Sequence, residues 1–294
     1  MRSKKPLVSV VTPSYNQGHF IEENILSVKS QDYPNIEHIV IDGGSTDGTV
    51  EILKKYKDTY NLRWVSEPDE GHADAVNKGF AMAKGEIIGW LNSDDVYFDR
   101  GTVSAVVEAF QKHPEADIIY GDCAYIWEDG KILRVQCVPG FRYSRLLRGC
   151  FLEQPAVFFR RHVVERHKLD KRLKVAIDYE YWLRIGREYR FVHIPRILAA
   201  DRNHSGRISI AQADKLKAVG AQLREKCLGQ PSPWLRLEWE LDKIFSGLPR
   251  RLKGLLLLIW LRQKKDFAFN AKVVWNMRTI KNQLFPHGVE GLKP

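Results

Sequence analysis

Leu7-Val8-Ser9-Val10-Val11-Thr12-Pro13 and Ile36-Glu37-His38-Ile39-Val40-Ile41-Asp42 are short runs rich in β-branched residues, each ending in polar or turn-forming residues. That is the pattern of buried parallel strands. Between them, Gly18 to Gln31 sets Ile21, Ile25 and Val28 at three- and four-residue spacing and closes on Tyr33-Pro34, as an amphipathic helix does. The three segments form a βαβ unit. The alternation continues with a helix from Thr46 to about Tyr60, a strand Leu62 to Ser66, a helix Ala73 to Ala83, a strand Glu86 to Leu91 and a helix Thr102 to His113. A doubly wound α/β sheet is expected, with ligand chemistry at the C-terminal ends of its strands. Further on, Ala116 to Tyr120, Ala124 to Trp127 and Lys131 to Gln136 read as strands, the last two joined by a hairpin turn at Asp129-Gly130. The sheet is expected to become mixed there. Ile177 to Glu188 reads as a helix, and Phe191 to Pro195 and Ile197 to Arg202 as extended segments.

Three polar clusters fall at strand ends in this reading. The first strand runs into Thr12-Pro13-Ser14-Tyr15-Asn16, the second into Asp42-Gly43-Gly44-Ser45-Thr46-Asp47-Gly48, and the fourth into Asn92-Ser93-Asp94-Asp95. All three gather on one edge of the sheet, where an α/β fold binds a nucleotide. Asp94 and Asp95 are adjacent carboxylates held together at an electrostatic cost. Either a divalent cation relieves that cost, or the pair caps the helix near Thr102 and faces solvent. Hard carboxylate oxygens suit Mg²⁺ or Mn²⁺. Asp42 sits at the strand terminus, where a carboxylate can accept a hydrogen bond from a base N–H while the Tyr15 ring stacks on that base. Asp47 reads as a helix-start residue. The glycines match neither a GxGxxG fingerprint nor a GxxxxGK[ST] loop, which weakens dinucleotide and P-loop readings.

The 294 residues suit one large α/β domain with an appendage, or two modest domains. With 44% hydrophobic and 28% charged residues, disordered and collagen-like classes are excluded. The four cysteines, Cys123, Cys137, Cys150 and Cys227, show no metal-ligand spacing and read as reduced thiols of a cytosolic protein. Met1 to Pro6 runs straight into a strand, so no signal peptide is expected. The longest apolar run, Leu255 to Leu261, falls well short of the roughly 18 to 20 residues needed to cross a bilayer. The net charge is +10, of which Arg224 to Pro294 carries +8. A change of composition at Gly229-Gln230-Pro231-Ser232-Pro233 marks the expected boundary between a catalytic domain, 1–228, and a helical, basic, amphipathic extension, 229–294. The domain divides at about residue 115 into two halves. In the extension, basic residues from Arg250 to Lys265 bracket the apolar run. This segment either inserts at an anionic membrane surface or packs on the catalytic domain or a dimer partner.

Taken in order, the motifs resemble those of a family 2 inverting glycosyltransferase with the GT-A fold, a Rossmann-like mixed sheet flanked by helices. The residues that carry the resemblance are Val8 to Asn16, Ile41 to Thr49, Asn77-Lys78-Gly79 with Ala83-Lys84-Gly85-Glu86, and Asn92 to Asp95, and it extends over roughly residues 6 to 210. It implies that Thr12, Pro13, Tyr15 and Asp42 surround the nucleoside of a nucleotide-sugar. It makes Asp95 the direct metal ligand, sets Asp94 nearer the ribose or sugar, and makes residues 6 to about 115 the donor-binding half and about 116 to 228 the acceptor and catalytic half. Two positions depart from the commoner family pattern, Asn92 in place of Asp and Val76 in place of an Arg near the diphosphate. Glu70 to Asn77 resembles a subgroup in which Asp74 binds the donor; the alternative is a first-turn helix residue. Ala176-Ile177-Asp178-Tyr179-Glu180-Tyr181-Trp182-Leu183-Arg184 matches the acidic motif that carries the catalytic base, which falls on Asp178; an N-cap is the alternative. Asp201-Arg202-Asn203-His204-Ser205 resembles the region whose imidazole completes the metal shell, so His204 is either that ligand or a surface histidine. Gly149 to Pro155 resembles the acceptor loop, in which Glu153 and Gln154 either position a hydroxyl or bridge helix to strand.

The activity so implied moves a sugar from a UDP- or dTDP-linked donor to a hydroxyl of a glycan or lipid-linked acceptor, in the cytoplasm or on the inner face of the membrane. Asp178 takes the acceptor proton, and attack opposite the diphosphate inverts the anomeric centre. A nucleotidyltransferase shares the same metal and carboxylate logic and is distinguished by release of pyrophosphate. A nucleic-acid module would exploit the basic tail, but the tail carries no nucleic-acid-binding signature, and no nucleic-acid partner is expected.

Overall fold

The computed structural model describes residues 5–207 and 211–228. The expected boundary at 228/229, the extension 229–294 and its segment 250–265 lie outside or at the edge of these residues. The chain divides into compact units Met1–Leu223 and Arg224–Pro294, and the sheet and the site belong to the first.

The parallel half is laid down as the sequence predicts. β1 (Val8–Ser14), α1 (Ile21–Lys29), β2 (Ile36–Asp42), α2 (Thr49–Tyr56), β3 (Leu62–Ser66), α3 (His72–Met82) and β4 (Ile87–Trp90) follow in turn. Strands β3-β2-β1-β4 lie side by side and parallel, with Ser14 level with Asp42. Both faces are covered. In β2, Val40 packs with Ile21, Ile25 and Leu53 of α1 and α2, while its neighbours Ile39 and Ile41 pack with Ala75 of α3. This is the two-residue alternation of a strand buried on both sides. Gly79 is required where α3 crosses β1, because a Cβ there would lie 2.2 Å from Val11 Cγ1.

After β5 (Val96–Tyr97) and α4 (Thr102–Lys112), the sheet becomes mixed. β6 (Ile118–Trp127) and β7 (Ile132–Gln136) form the expected hairpin. β8 (Val157–Arg160) enters antiparallel between β4 and β6, and β9 (Phe191–Asn203) runs parallel to β6, with β5 on its outer side. Short helices α5 (Tyr143–Leu146), α6 (Arg161–Arg166) and α7 (Ile177–Ile185) fill the connections, and α8 (Ala213–Leu228) follows β9.

Two expected breaks are absent. The segments 116–120 and 124–127 are one strand, β6, and 191–195 and 197–202 are one strand, β9. The residues that looked like breakers sit opposite one another, since the pairing jumps from Tyr120↔His193 to Asp122↔Ile197, so that Gly121 and Pro195 share one irregularity. Gly121 permits it, as a Cβ there would come within 2.6 Å of the Arg196 carbonyl oxygen.

The donor half also holds the segment leading into α7. Asn77 of α3 donates from Nδ2 to the Leu169 carbonyl and accepts the Leu169 N–H at Oδ1, each at 2.9 Å. Lys171 pairs with Asp74 (3.1 Å), and Lys174 Nζ donates to the Glu70 carbonyl (2.6 Å).

Candidate active site

The ends of β2, β1 and β4 form one edge, and the structure brings the three polar clusters together along it. The loop after β1 is stapled to the loop after β2: the Asn16 N–H donates to Ser45 Oγ (2.7 Å), and the Thr46 N–H donates to Asn16 Oδ1 (3.0 Å). Asp47 accepts from the Thr49 N–H at the start of α2 and from the Gly18 N–H. Tyr15 stands 62% exposed beside this loop, and the Ser14 hydroxyl, though buried, has no partner among the described residues. Pro13 is buried within β1.

Two of the expected donor residues point their side chains inward. Thr12 Oγ1 lies 2.9 Å from His38 Nε2 and donates to Asn24 Oδ1, so its hydroxyl is committed to the core. Burial depresses His38 to a pKa of about 3, so the ring stays neutral there. Asp42 is fully buried, and its carboxylate accepts from the Gly44 N–H, the Ser45 N–H, Ser45 Oγ and Ser66 Oγ. Thr12 and Asp42 therefore shape the donor edge from behind, whereas Tyr15 faces outward. Asp74 lies in the first turn of α3, where its carboxylate accepts the Glu70 N–H and pairs with Lys171 and Lys78. Burial alone would raise it; the Glu70 amide and the two lysines more than offset that and hold it below the usual carboxylate range.

The Asn92–Asp95 loop is held from three sides. Asn24 Nδ2 donates to the Asn92 and Asp95 carbonyls at 2.8 and 2.9 Å. Arg202, itself buried, donates its N–H to Asp95 Oδ1 (3.0 Å) and its Nε–H to the Asp94 carbonyl (2.9 Å). Asn92 Oδ1 accepts from the Trp90 indole, and its Nδ2 donates to Gln154 Oε1 (2.9 Å). Gln154 in turn donates from Nε2 to the Trp90 carbonyl, which makes it the bridge between the acceptor loop and β4. His204, at the end of β9, meets Asp94 rather than Asp95, with Nε2 and Oδ2 3.0 Å apart.

Behind this loop the acids accumulate. Burial and the charges of Asp201 and Asp94 push Asp95 far above the usual carboxylate range. Asp201 is pushed up to about 7, first by burial, with Glu153 and Asp94 adding to the shift. Glu153, whose carboxylate accepts the Tyr125 hydroxyl (2.7 Å), is raised by burial and further by Asp178. Asp178 is raised by burial, which its nearby backbone N–H groups and Arg207 partly offset. One guanidinium faces the whole set. Arg207 is ion-paired with Asp201, and its charge also lowers Asp95, Glu153 and Asp178. The charge of Arg207 thus reaches both Asp95 and Asp178. Asp178 is not an N-cap: α7 starts at Ile177, preceded by Ala176 in the left-handed region at φ 56°, and no side chain caps that end. A non-glycine residue held there is locally strained, as residues beside reacting groups often are.

Oxygen-rich donors with more negative charge than the protein's own cations neutralise fit a hard divalent cation. Among the described residues, no three His, Cys, Asp or Glu side chains already stand at metal-binding separations. A site that uses one or two carboxylates and draws its other ligands from substrate phosphates accommodates that arrangement.

Asp201, Arg207, Tyr125, Asn24 and Asp69 had no assigned role at the sequence level. Asn24 carried a signal, because it lies on the buried stripe of α1 with Ile21, Ile25 and Val28, where a polar residue needs partners. Asp69 Oδ1 accepts the Gly71 N–H, and its charge reaches His72 together with that of Asp94.

Residues 9–172 match the family described as glycosyl transferase family 2. The chain belongs to that family and is a glycosyltransferase with the GT-A fold. It is 29% identical over 226 residues to an uncharacterized glycosyltransferase of Rickettsia prowazekii, covering 72% of this chain and 69% of that protein. It is also 28% identical to the chondroitin synthase of Pasteurella multocida over 72% of this chain, but spans only 22% of that protein. Among solved structures, TarS 1–349 of S. aureus in complex with UDP-GlcNAc superimposes with a TM-score of 0.59 at 18% identity, covering 94% of this chain and 81% of that one. The mannosyltransferase PcManGT from Pyrobaculum calidifontis, in complex with GDP-Man and Mn²⁺, gives 0.56 at 19% identity, covering 97% of this chain and 89% of that one. At this identity the structural likeness establishes the fold. No helix among the described residues is long and apolar enough to cross a membrane.

Proposed function

We propose that the protein transfers a sugar, with inversion, from a nucleotide-sugar to a hydroxyl of a glycan or lipid-linked acceptor, with Asp178 as the base. The observation that supports this reading is the Arg207–Asp201 ion pair at the rim of the sheet, whose guanidinium charge reaches Asp95 on the expected donor side and Glu153 and Asp178 on the expected acceptor side. Complexes of structural neighbours with UDP-GlcNAc and GDP-Man support a nucleotide-sugar donor; within that class, UDP- or dTDP-linked sugars are favoured.

The roles follow from charge. Tyr15 and the stapled loops after β1 and β2 take the nucleoside, with Thr12, Pro13 and Asp42 setting the shape of that edge. Asp95 and His204 would hold Mg²⁺ or Mn²⁺, with Asp94 nearer the ribose or sugar; when bound, the ion stabilises the negative charge growing on the departing diphosphate. Asp178, raised by burial toward the pH at which it works, removes the acceptor proton. Glu153 orients the acceptor hydroxyl, itself fixed by Tyr125. One base suffices, because no glycosyl-enzyme intermediate has to form. The segment 250–265 would bring the enzyme to an anionic membrane surface on the cytoplasmic side.

A thermal-shift screen of UDP-, dTDP- and GDP-sugars, each with Mg²⁺, with Mn²⁺ and with chelator, identifies the donor. Product analysis with that donor then gives a nucleoside diphosphate and an inverted anomeric centre. Pyrophosphate as product, or retention at the anomeric carbon, overturns the reading.

A further inference from the structure

Trp127 ends β6 with 46% of its surface exposed, a large aromatic ring outside the core. Strand alternation puts it on the same face as Tyr125, which reaches Glu153, and about 7 Å further along the strand. Parallel pairing with β9 sets Tyr125 beside Asp201 and Trp127 beside Asn203. This face of the sheet therefore runs outward from the buried acids to the exposed indole. At its end lies a cavity of about 390 Å³ lined by Trp127, Glu128, Asp129, Asn203, His204 and Ser205, toward the small end of the range for ligand pockets. His204 is the residue that also meets Asp94, so the cavity adjoins the reaction centre.

The lining has a definite chemistry. Asp129 is paired with Lys131, whereas among the described residues no hydrogen bond holds the side chains of Glu128, Asn203 or Ser205. An exposed indole flanked by amide, hydroxyl and carboxylate groups matches a pyranose. Its C–H face packs on the electron-rich ring, and its rim of hydroxyls both donates and accepts. Among the described residues the lining holds no Lys or Arg; Lys131 is spent on Asp129 and Arg202 on the Trp127 and Glu128 carbonyls, which leaves the Glu128 carboxylate uncompensated and favours a neutral sugar over an anionic one.

We propose that the β6–β7 hairpin rim is a subsite for a neutral sugar unit of the acceptor glycan, one unit removed from the ring that is glycosylated, with Trp127 as its stacking platform. This rests on the transferase reading and names the acceptor class for it.

Calorimetric titration with chitotetraose, N-acetylglucosamine and a chondroitin tetrasaccharide tests it. The wild-type protein should bind chitotetraose at least about tenfold more tightly than the monosaccharide, and more tightly than the acidic tetrasaccharide. Trp127→Ala should remove that advantage, and Trp127→Phe should keep most of it, which separates the ring from any effect on folding. Asn203→Ala should weaken chitotetraose a few-fold. Equal affinity in W127A and wild type, no gain from monosaccharide to tetrasaccharide, or preference for the acidic chain overturns the subsite. Nucleotide-sugar turnover by the same wild-type preparation scores the transferase reading separately, so either idea can fail while the other stands.

Discussion

Asp42 and Asp201 are both buried aspartates, one in each half of the domain, and they are treated in opposite ways. Asp42 has four donors from its own loop and from Ser66, so its charge is satisfied before any ligand arrives. Asp201 has Arg207 as its counter-ion but lies beside Asp95, Asp94 and Glu153, and is pushed up to about 7. The donor half is thus a finished cradle in which polar groups fix loops. The second half crowds acids whose charged forms burial disfavours and which added positive charge or protons relieve. The first arrangement supplies shape and the second supplies chemistry, and substitutions in the two should fail differently.

The sharpest break is expected at Asp178. Asp178→Asn should lower kcat by about 10²- to 10⁴-fold, the usual contribution of a positioned base, while donor affinity by calorimetry stays close to wild type. Unchanged turnover removes Asp178 from the chemistry. Next, Asp95→Ala should abolish the gain in donor affinity, at least roughly tenfold, that Mg²⁺ or Mn²⁺ gives the wild type. Titrations with and without chelator read it directly, and a wild-type protein indifferent to chelator contradicts the assignment. In the finished half the expected loss is one of stability. Gly79→Ala drives a methyl into Val11 and should cost about 1–3 kcal/mol in denaturant unfolding.

The smallest effect concerns pH. The folded-state pKa of Glu153 is raised above its ordinary 4.5, chiefly by burial. Over the interval above 4.5 the folded protein keeps a proton that the unfolded chain has released, so stability falls as pH rises. Glu153→Gln removes that loss. Its melting temperature should decline less than that of the wild type between mildly acid and mildly alkaline pH, by a few degrees at most, in thermal scans without divalent metal. An identical decline in both proteins would show that this carboxylate carries no buried charge.

The parallel half was legible almost residue by residue, because strands buried on both faces and amphipathic helices leave strong periodic signals, and β2 and β3 fall on their expected spans. β8 was not legible: Val157 to Arg160 is four residues long, too short to show a period, and its place between β4 and β6 is set by distant partners. The continuity of β6 and β9 was not legible either, since the gaps left at 121–123 and 196 fall where the pairing of the two strands is irregular. Among candidate site residues, Asp94 and Asp95 were singled out by their strand end and Asp178 by motif order. Thr12, Asp42 and Gln154 were found for their position, yet the direction of their side chains depended on His38, Ser66 and Trp90, which local sequence does not connect to them. Arg207 gave no signal at all, because its importance lies in the acids that converge on it in space.

The clasp between α3 and residues 169–174 bears on how the enzyme is assembled. The segment that delivers Asp178 is moored to the helix behind the nucleotide edge, through Asn77, Asp74 and the Glu70 carbonyl. If Asp178 is the base, its spacing from the leaving group is gauged by a few contacts made by α3 and the loop before it. A mutation such as Asn77→Ala, remote from every bond that is made or broken, would act as a misalignment of the two halves of the reaction, felt as lost turnover in a protein that still folds and still holds its donor.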